Sequence, residues 1–295
     1  FGMYTRQEVD FMYVCQAAEC FADGDYRLLS GDYFNECSYQ LGTVLMLECV
    51  ARLVPQIPLE RLMQGVNVLI SMAGAWMLIV GGELAFRDKR VHSAALAMYL
   101  LCLPLAIYCI HVYGTLPMVM LCSAAILCFV LYIRRKQLRF GFMYVLLTAL
   151  AYVIKPNSAI VLMALLICAV LHGMESGDWR LLGFAVMSVV LAVLLARLMI
   201  LQYEWRGGVR VRENVSMLSR LVMGLQDGKR GAGWYNAYIE QFFDPAVSTE
   251  NEKAIATADL LVRLDEMVAD PARTAIFFVQ KALSQWLEPT YGTLL

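Results

Sequence analysis

Between Leu62 and Ile200 the chain alternates apolar blocks with short polar breaks: Leu62–Phe86, Val91–Ile110, Leu116–Ile133, Phe140–Val153, Ala159–Leu171 and Leu181–Ile200. A soluble protein has no surface on which to place that many Leu, Val, Met and Ala, so the pattern predicts membrane helices. The expected fold class is all-α: a polytopic transmembrane helical bundle with external juxtamembrane helices and an external C-terminal helical segment. Three regions follow: an acidic loop with juxtamembrane helices at 1–60, about six membrane helices at 61–200, and an external loop with helices at 201–295.

Ahead of the bundle, Val9 to Ala22 reads as a helix ended by Gly24, with Asp10 near its start, where unpaired N–H groups favour a carboxylate. Gly24, Ser30 and Gly31 mark turns that carry Asp23, Asp25 and Asp32. Tyr39–Leu53 is apolar but holds Glu48 and Arg52. At 1.5 Å per residue it reaches about 22 Å against a hydrocarbon layer of roughly 30 Å, so it reads as a helix lying along the interface. A short tilted crossing is the alternative, and it would move residues 1–38 to the other side.

The breaks set the orientation. Arg87, Asp88, Lys89 and Arg90 follow the first block, and Arg134, Arg135, Lys136 and Arg139 follow the third. By the positive-inside tendency both turns are cytoplasmic. Alternation then puts His111–Thr115 and Lys155-Pro156-Asn157 outside, Glu175–Arg180 inside, and everything after Ile200 outside. Residues 1–60 and 201–295 would share the outer face. Proline ends or kinks a helix, so Lys155-Pro156-Asn157 reads either as a tight turn with a snorkelling lysine or as a recessed hairpin offering a cation to an anionic lipid headgroup. His111 and Tyr113 sit on the same side.

After Ile200 the composition turns polar, with ten Lys or Arg and twelve Asp or Glu. Gly224–Asn236 reads as a flexible loop in which Trp234, Tyr235 and Asn236 are placed to stack on and hydrogen-bond a ligand. Ala254–Ala269 is an amphipathic helix closed by Asp270-Pro271, and Ala272–Leu287 is a further helix in which Lys281 reads as a solvated charge or a phosphate contact.

Composition narrows the classes. Of 295 residues, 60% are apolar and 17% charged, against roughly 25% charged in soluble domains, which argues for the bilayer and against disorder. Residues 1–38 hold seven acids and two bases, so a basic nucleic-acid surface has no support and no nucleic-acid partner is expected. Five of the nine cysteines lie in apolar blocks as small hydrophobes; among the others a Cys20–Cys37 disulfide is one option. His92, His111 and His172 are isolated, and there is no phosphate loop, dinucleotide fingerprint or GxSxG elbow, so neither metal nor cofactor is expected. The chain starts at Phe1 and stops just after a helix-like segment, so a fragment is expected.

What remains is an acidic outer loop facing a membrane-edge cation. That suits transfer from a lipid-phosphate donor to a hydroxyl: a carboxylate takes the hydroxyl proton while lysine or arginine neutralises the departing phosphate. Glu8, Asp10, Asp25 and Asp32 are all candidates for the carboxylate on these grounds.

The run Asp10–Gly42 (DFMYVCQAAECFADGDYRLLSGDYFNECSYQLG) resembles the first external loop of bacterial membrane glycosyltransferases related to protein O-mannosyltransferases, the polyprenyl-phosphate-sugar-using superfamily often called GT-C, family 39-like. In that family an Asp begins the first loop helix, a GDY-like element follows, and a Pro-His-Gln-Leu-Gly-like element opens a juxtamembrane helix. Here the last reads Ser38-Tyr39-Gln40-Leu41-Gly42, departing at its first two positions. The likeness continues through His111–Thr115, Lys155-Pro156-Asn157, Met223–Gln226, Gly233–Asn236, Phe277-Phe278 with Lys281, Gln285-Trp286 and Pro289-Thr290-Tyr291.

The resemblance implies an inverting glycosyltransferase in a bacterial plasma membrane, active at the outer face. Asp10 would be the catalytic base and Lys155, Asn157 and Lys281 would hold the donor lipid phosphate. Gln40, Tyr113, Trp234, Tyr235 and Asn236 would bind substrate. Its partners would be a polyprenyl-phosphate sugar, membrane lipids and a hydroxyl acceptor. A lipid-linked oligosaccharide flippase or membrane assembly protein is the non-enzymatic alternative, and it would be expected to show ionisable residues along a path through the bundle and an internal repeat.

Overall fold

The computed structural model describes residues 9–211, 215–228, 231–244 and 247–287. Thirteen α-helices occur among them, with one two-residue ladder, so the all-α expectation holds. The chain divides into two compact units, residues 1–34 with 39–211 and residues 35–38 with 212–295.

The first unit contains α1 (Val9–Ala22), most of α2 (Asp32–Glu36), α3 (Leu41–Leu53), α4 (Leu59–Phe86), α5 (Lys89–Leu101), α6 (Leu103–Tyr108), α7 (Thr115–Arg135), α8 (Leu138–Ile154), α9 (Ala159–Ser176) and α10 (Arg180–Gly207). Four helical stretches, Leu59–Phe86, Thr115–Arg135, Pro156–Ser176 and Arg180–Gly207, are long and apolar enough to cross a bilayer, which marks an integral membrane protein. The other two apolar blocks fall short as single helices. The 91–110 block divides at Cys102 into α5 and α6, because Pro104 in the first turn of α6 has no N–H to continue a ladder. Helix α8 has 17 residues, about 26 Å, which is under a hydrocarbon thickness of roughly 30 Å.

Outward faces agree with a lipid solvent. On α9 the exposed set Ile160, Met163, Ile167, Leu171 and Met174 recurs at helical spacing, and Val186, Val190, Val193 and Leu194 do the same on α10. Ala125, Phe129, Tyr132, Tyr144, Leu165, Ala169, Leu181 and Phe184 form a core between α7, α8, α9 and α10. Small residues permit the close approaches: a Cβ on Gly42 of α3 would lie 1.6 Å from the Val153 carbonyl oxygen of α8.

The basic turns gather at one end of this unit. Arg134 donates to the Leu84 and Ala85 carbonyls at the close of α4, at 3.0 and 2.7 Å, and Lys136 meets Asp178 at 2.7 Å. The α4–α5, α7–α8 and α9–α10 turns therefore lie together. The 109–115 and 154–158 breaks meet at the other end, as the alternation of directions requires.

At that second end α1, α3 and the start of α4 close over a core of Val14, Ala18, Phe21, Leu41, Val44, Leu47, Met63 and Tyr203. Glu48, 2% exposed, takes hydrogen bonds from Tyr203 Oη at 2.8 Å and from Arg206, and pairs with Arg52 at 2.9 Å, tying α3 to the end of α10. The nine cysteines are free thiols, so the Cys20–Cys37 option is not taken.

The second unit holds α11 (Met217–Gly224), the short antiparallel pair β1 (Asp227–Gly228) and β2 (Gly231–Ala232), α12 (Thr249–Ala269) and α13 (Pro271–Trp286). Ser216 caps α11 and Ser248 caps α12, each accepting from an N–H three residues on. The stretch expected to be a flexible loop contains the β1–β2 ladder, in register Asp227 with Ala232 and Gly228 with Gly231.

Candidate functional site

At the end of the first unit away from the basic turns, four segments distant in sequence converge. Helix α1 brings Asp10 and Phe11, the 3₁₀ turn Ser38–Gln40 brings Gln40, the turn between α6 and α7 brings His111 and Tyr113, and the α8–α9 break brings Lys155. Proline at 156 forces the break, because it cannot donate and its predecessor Lys155 takes an extended conformation, φ −151° and ψ 113°.

Lys155 Nζ sits 3.5 Å from the centroid of the Tyr113 ring and donates to Thr115 Oγ1 at 3.1 Å. An ammonium over an aromatic face is favourable, by up to about 2 kcal/mol where water is excluded. Burial nevertheless pulls the lysine down from 10.5 to about 8, with the nearby Asp10 carboxylate pushing the other way. A lysine poised there still carries its charge at neutral pH and, among the described residues, has no hydrogen-bonded carboxylate, which is the state a cation needs to receive an anion. Tyr113 Oη accepts a hydrogen bond from Gln40 Nε2, and its ring meets Phe11 edge to face at 5.1 Å. Phe11 in turn stacks on His111 at 4.5 Å and 25°.

The carboxylate candidates separate here. Asp10 is half-buried, acts electrostatically on Lys155, and takes no side-chain hydrogen bond among the described residues. Asp25 is bound by Arg27 through contacts of 2.6 to 3.1 Å that hold its carboxyl down at about 2, a poor proton acceptor at neutral pH. Glu8 lies outside the described residues, as does the Asp32 side chain.

Of the expected site residues, Asp10, Gln40, Tyr113 and Lys155 come together in this cluster. Asn157 is beside it in sequence and exposed, whereas Gln40 is wholly buried and faces Tyr113 rather than open solvent. The remaining four belong to the second unit. There Lys281 Nζ donates to the Gly224 carbonyl at 2.6 Å, and Trp234 Nε1 donates to Ser284 Oγ at 2.9 Å. Asn236 bonds the Met223 carbonyl and the Tyr238 N–H, while Tyr235 is exposed with its hydroxyl 3.4 Å from Glu240. Gly233, at φ +71°, packs against Lys281, so a side chain there would meet both the strained backbone and the lysine stem. The Pro289-Thr290-Tyr291 part of the resemblance and the Gln285 and Trp286 side chains lie outside the described residues.

Residues that pattern reading passed over complete the geometry: Phe11, Thr115, and two amides on α4. Gln64 Nε2 donates to the Ile110 carbonyl at 3.0 Å, and Asn67 Nδ2 to those of Cys109 and His111 at 3.3 and 2.9 Å. Their signal in the sequence was two amides three residues apart near the start of a largely apolar block. Among the described residues no group of three or more His, Cys, Asp or Glu side chains is arranged to hold a metal ion.

The fold and this cluster define an integral membrane protein with a carboxylate and a sheltered cation at one end of a helical bundle. No family model, curated protein or solved structure matches the chain.

Proposed function

We propose that this protein transfers a sugar from a polyprenyl-phosphate-linked donor to a hydroxyl acceptor at the outer face of a bacterial plasma membrane. The observation that carries the reading is a half-buried Asp10 within electrostatic reach of Lys155, in one cluster beside a helix break at the bundle end. Asp10 accepts the acceptor's hydroxyl proton as that oxygen bonds to the anomeric carbon. The carbon–oxygen bond to phosphate breaks on the opposite side, its electron pair leaves with the lipid phosphate, and the configuration inverts. Lys155 balances the charge that develops on the leaving phosphate. Asn157 flanks it, and Gln40 and Tyr113 set its surroundings. Lys281 is assigned to the lipid phosphate, and Trp234, Tyr235 and Asn236 to substrate, from their residue types and the likeness of their sequence.

The test is Asp10→Asn in the full-length protein in vesicles supplied with a polyprenyl-phosphate sugar. Loss of a general base costs about 10²–10⁴-fold in turnover. Donor binding and folding stay as they were. Retained turnover refutes the assignment, and lipid translocation without bond cleavage would instead indicate a flippase.

A further inference from the structure

The amides on α4 are in the wrong place for packing alone. Asn67 is fully buried in a helix long enough to cross a membrane, and its Oδ1 has no partner among the described residues. An amide in that setting loses hydration that an aliphatic residue of the same size would never have had. What the amides do have is a set of carbonyls. The turn between α6 and α7 leaves its carbonyls outside any helix ladder, and Gln64 and Asn67 take three in succession, those of Cys109, Ile110 and His111. The Cys109 thiol returns a weak contact to the Asn67 carbonyl at 3.9 Å.

The turn so held carries both aromatic supports of the site. His111 stacks on Phe11, the neighbour of Asp10, and Tyr113 lies beneath the Lys155 ammonium. We infer that Gln64 and Asn67 are positioning residues, whose three hydrogen bonds to the 109–111 carbonyls fix the turn that sets Asp10 against Lys155. The inference rests on the reading of Asp10 and Lys155 as the transfer centre, and it adds a part of the molecule that touches neither substrate. The three bonds form one rigid clamp: the two amides stand one helical turn apart on the same face of α4, at the spacing that meets consecutive carbonyls of a turn running alongside. A shift of the turn by an ångström separates Tyr113 from Lys155, and misplacement on that scale costs a catalytic centre about 10²-fold.

The test uses Gln64→Met and Asn67→Leu, which keep side-chain length and remove the donors. Two readouts are taken in the full-length protein in nanodiscs: competitive amine labelling of Lys155 against pH, read by mass spectrometry, and sugar transfer with its kcat and KM resolved. With the clamp gone, water reaches the ammonium, and the regained hydration outweighs the lost ring contact, so Lys155 titrates above about 8, back toward 10.5. Transfer falls about 10- to 100-fold, chiefly in kcat. A lowered melting temperature with Lys155 titrating where it does in the parent overturns the inference, because it shows the amides to be structural only. The labelling readout does not need the enzyme reading: if the parent transfers no sugar, the Lys155 titration still decides whether the clamp sets the site. Should Asn67→Leu fail to fold, Gln64→Met removes one donor near the start of α4 and decides the question by the same titration.

Discussion

Replacing Lys155 by methionine is expected to make the protein more stable and, on the proposed function, to weaken its binding of a polyprenyl phosphate. Burial holds this lysine at about 8 rather than 10.5, and at roughly 1.4 kcal/mol per tenfold change the native state spends about 3 kcal/mol keeping it charged at neutral pH. Between those two values the native protein binds fewer protons at this position than the unfolded chain. Stability therefore rises as pH climbs from about 8 to 10.5 and is level on either side of that window. Methionine has a similar length and no charge to desolvate, so Lys155→Met gains about 2–3 kcal/mol at pH 7 once lost packing is allowed for. That is several degrees in melting temperature at about 2–4 °C per kcal/mol for a domain somewhat smaller than this chain. The assay is thermal unfolding in nanodiscs followed by tryptophan fluorescence across pH 7 to 10.5, with binding of a polyprenyl phosphate measured alongside. The parent's affinity for the phosphate should fall about tenfold per pH unit once the ammonium is lost, and bound phosphate should move that limb upward. A Lys155→Met variant less stable than the parent at pH 7, or a flat parent profile above pH 8, would refute the reasoning.

Further outcomes follow from the same contacts. Gly42→Ala should cost about 3 kcal/mol, because the added methyl would lie 1.6 Å from a backbone oxygen that no rotamer change can move; unfolding of the purified variant measures it. The same change displaces α8 two residues ahead of Lys155, so transfer should fall with it. Glu48→Leu should cost about 3–5 kcal/mol, since Arg206 is left with its charge largely buried and Tyr203 without its acceptor, and the melting temperature reads it. Asp25→Asn should leave sugar transfer unchanged, because that carboxylate is a half-exposed partner of Arg27, whereas Asp10→Asn should lower it about 10²–10⁴-fold.

The apolar blocks already spelled out α4 and α7 to within three residues and the starts of α9 and α10, whose ends run on to Ser176 and Gly207, since a bilayer accepts only segments that satisfy their own backbone, and length with composition is enough to recognise them. The break at Lys155-Pro156-Asn157 was legible for a similar reason: proline acts on its own neighbours. Pro104 acts just as locally, yet the 91–110 block read as one helix because its apolar run continues across the division at Cys102. Capping by Ser216 and Ser248 is local as well, resting on hydroxyls just before each helix.

What lay beyond the sequence was which of those local features meet. Asp10, Gln40, Tyr113 and Lys155 are spread over nearly half the chain, and only the alternating directions of the helices bring them to one end. Asp25 and Asp10 are alike on paper, and only the folded turn ties the first to Arg27 while leaving the second near a half-buried ammonium. Lys281 and Trp234 looked available for a ligand, yet in the fold each has a hydrogen-bonding partner of its own. Hydrophobic period and chain-local sterics act over a turn or two of helix and are written along the sequence. Desolvation, ion pairing and amide–carbonyl clamps depend on distances between remote segments, and those exist only once the helices have packed.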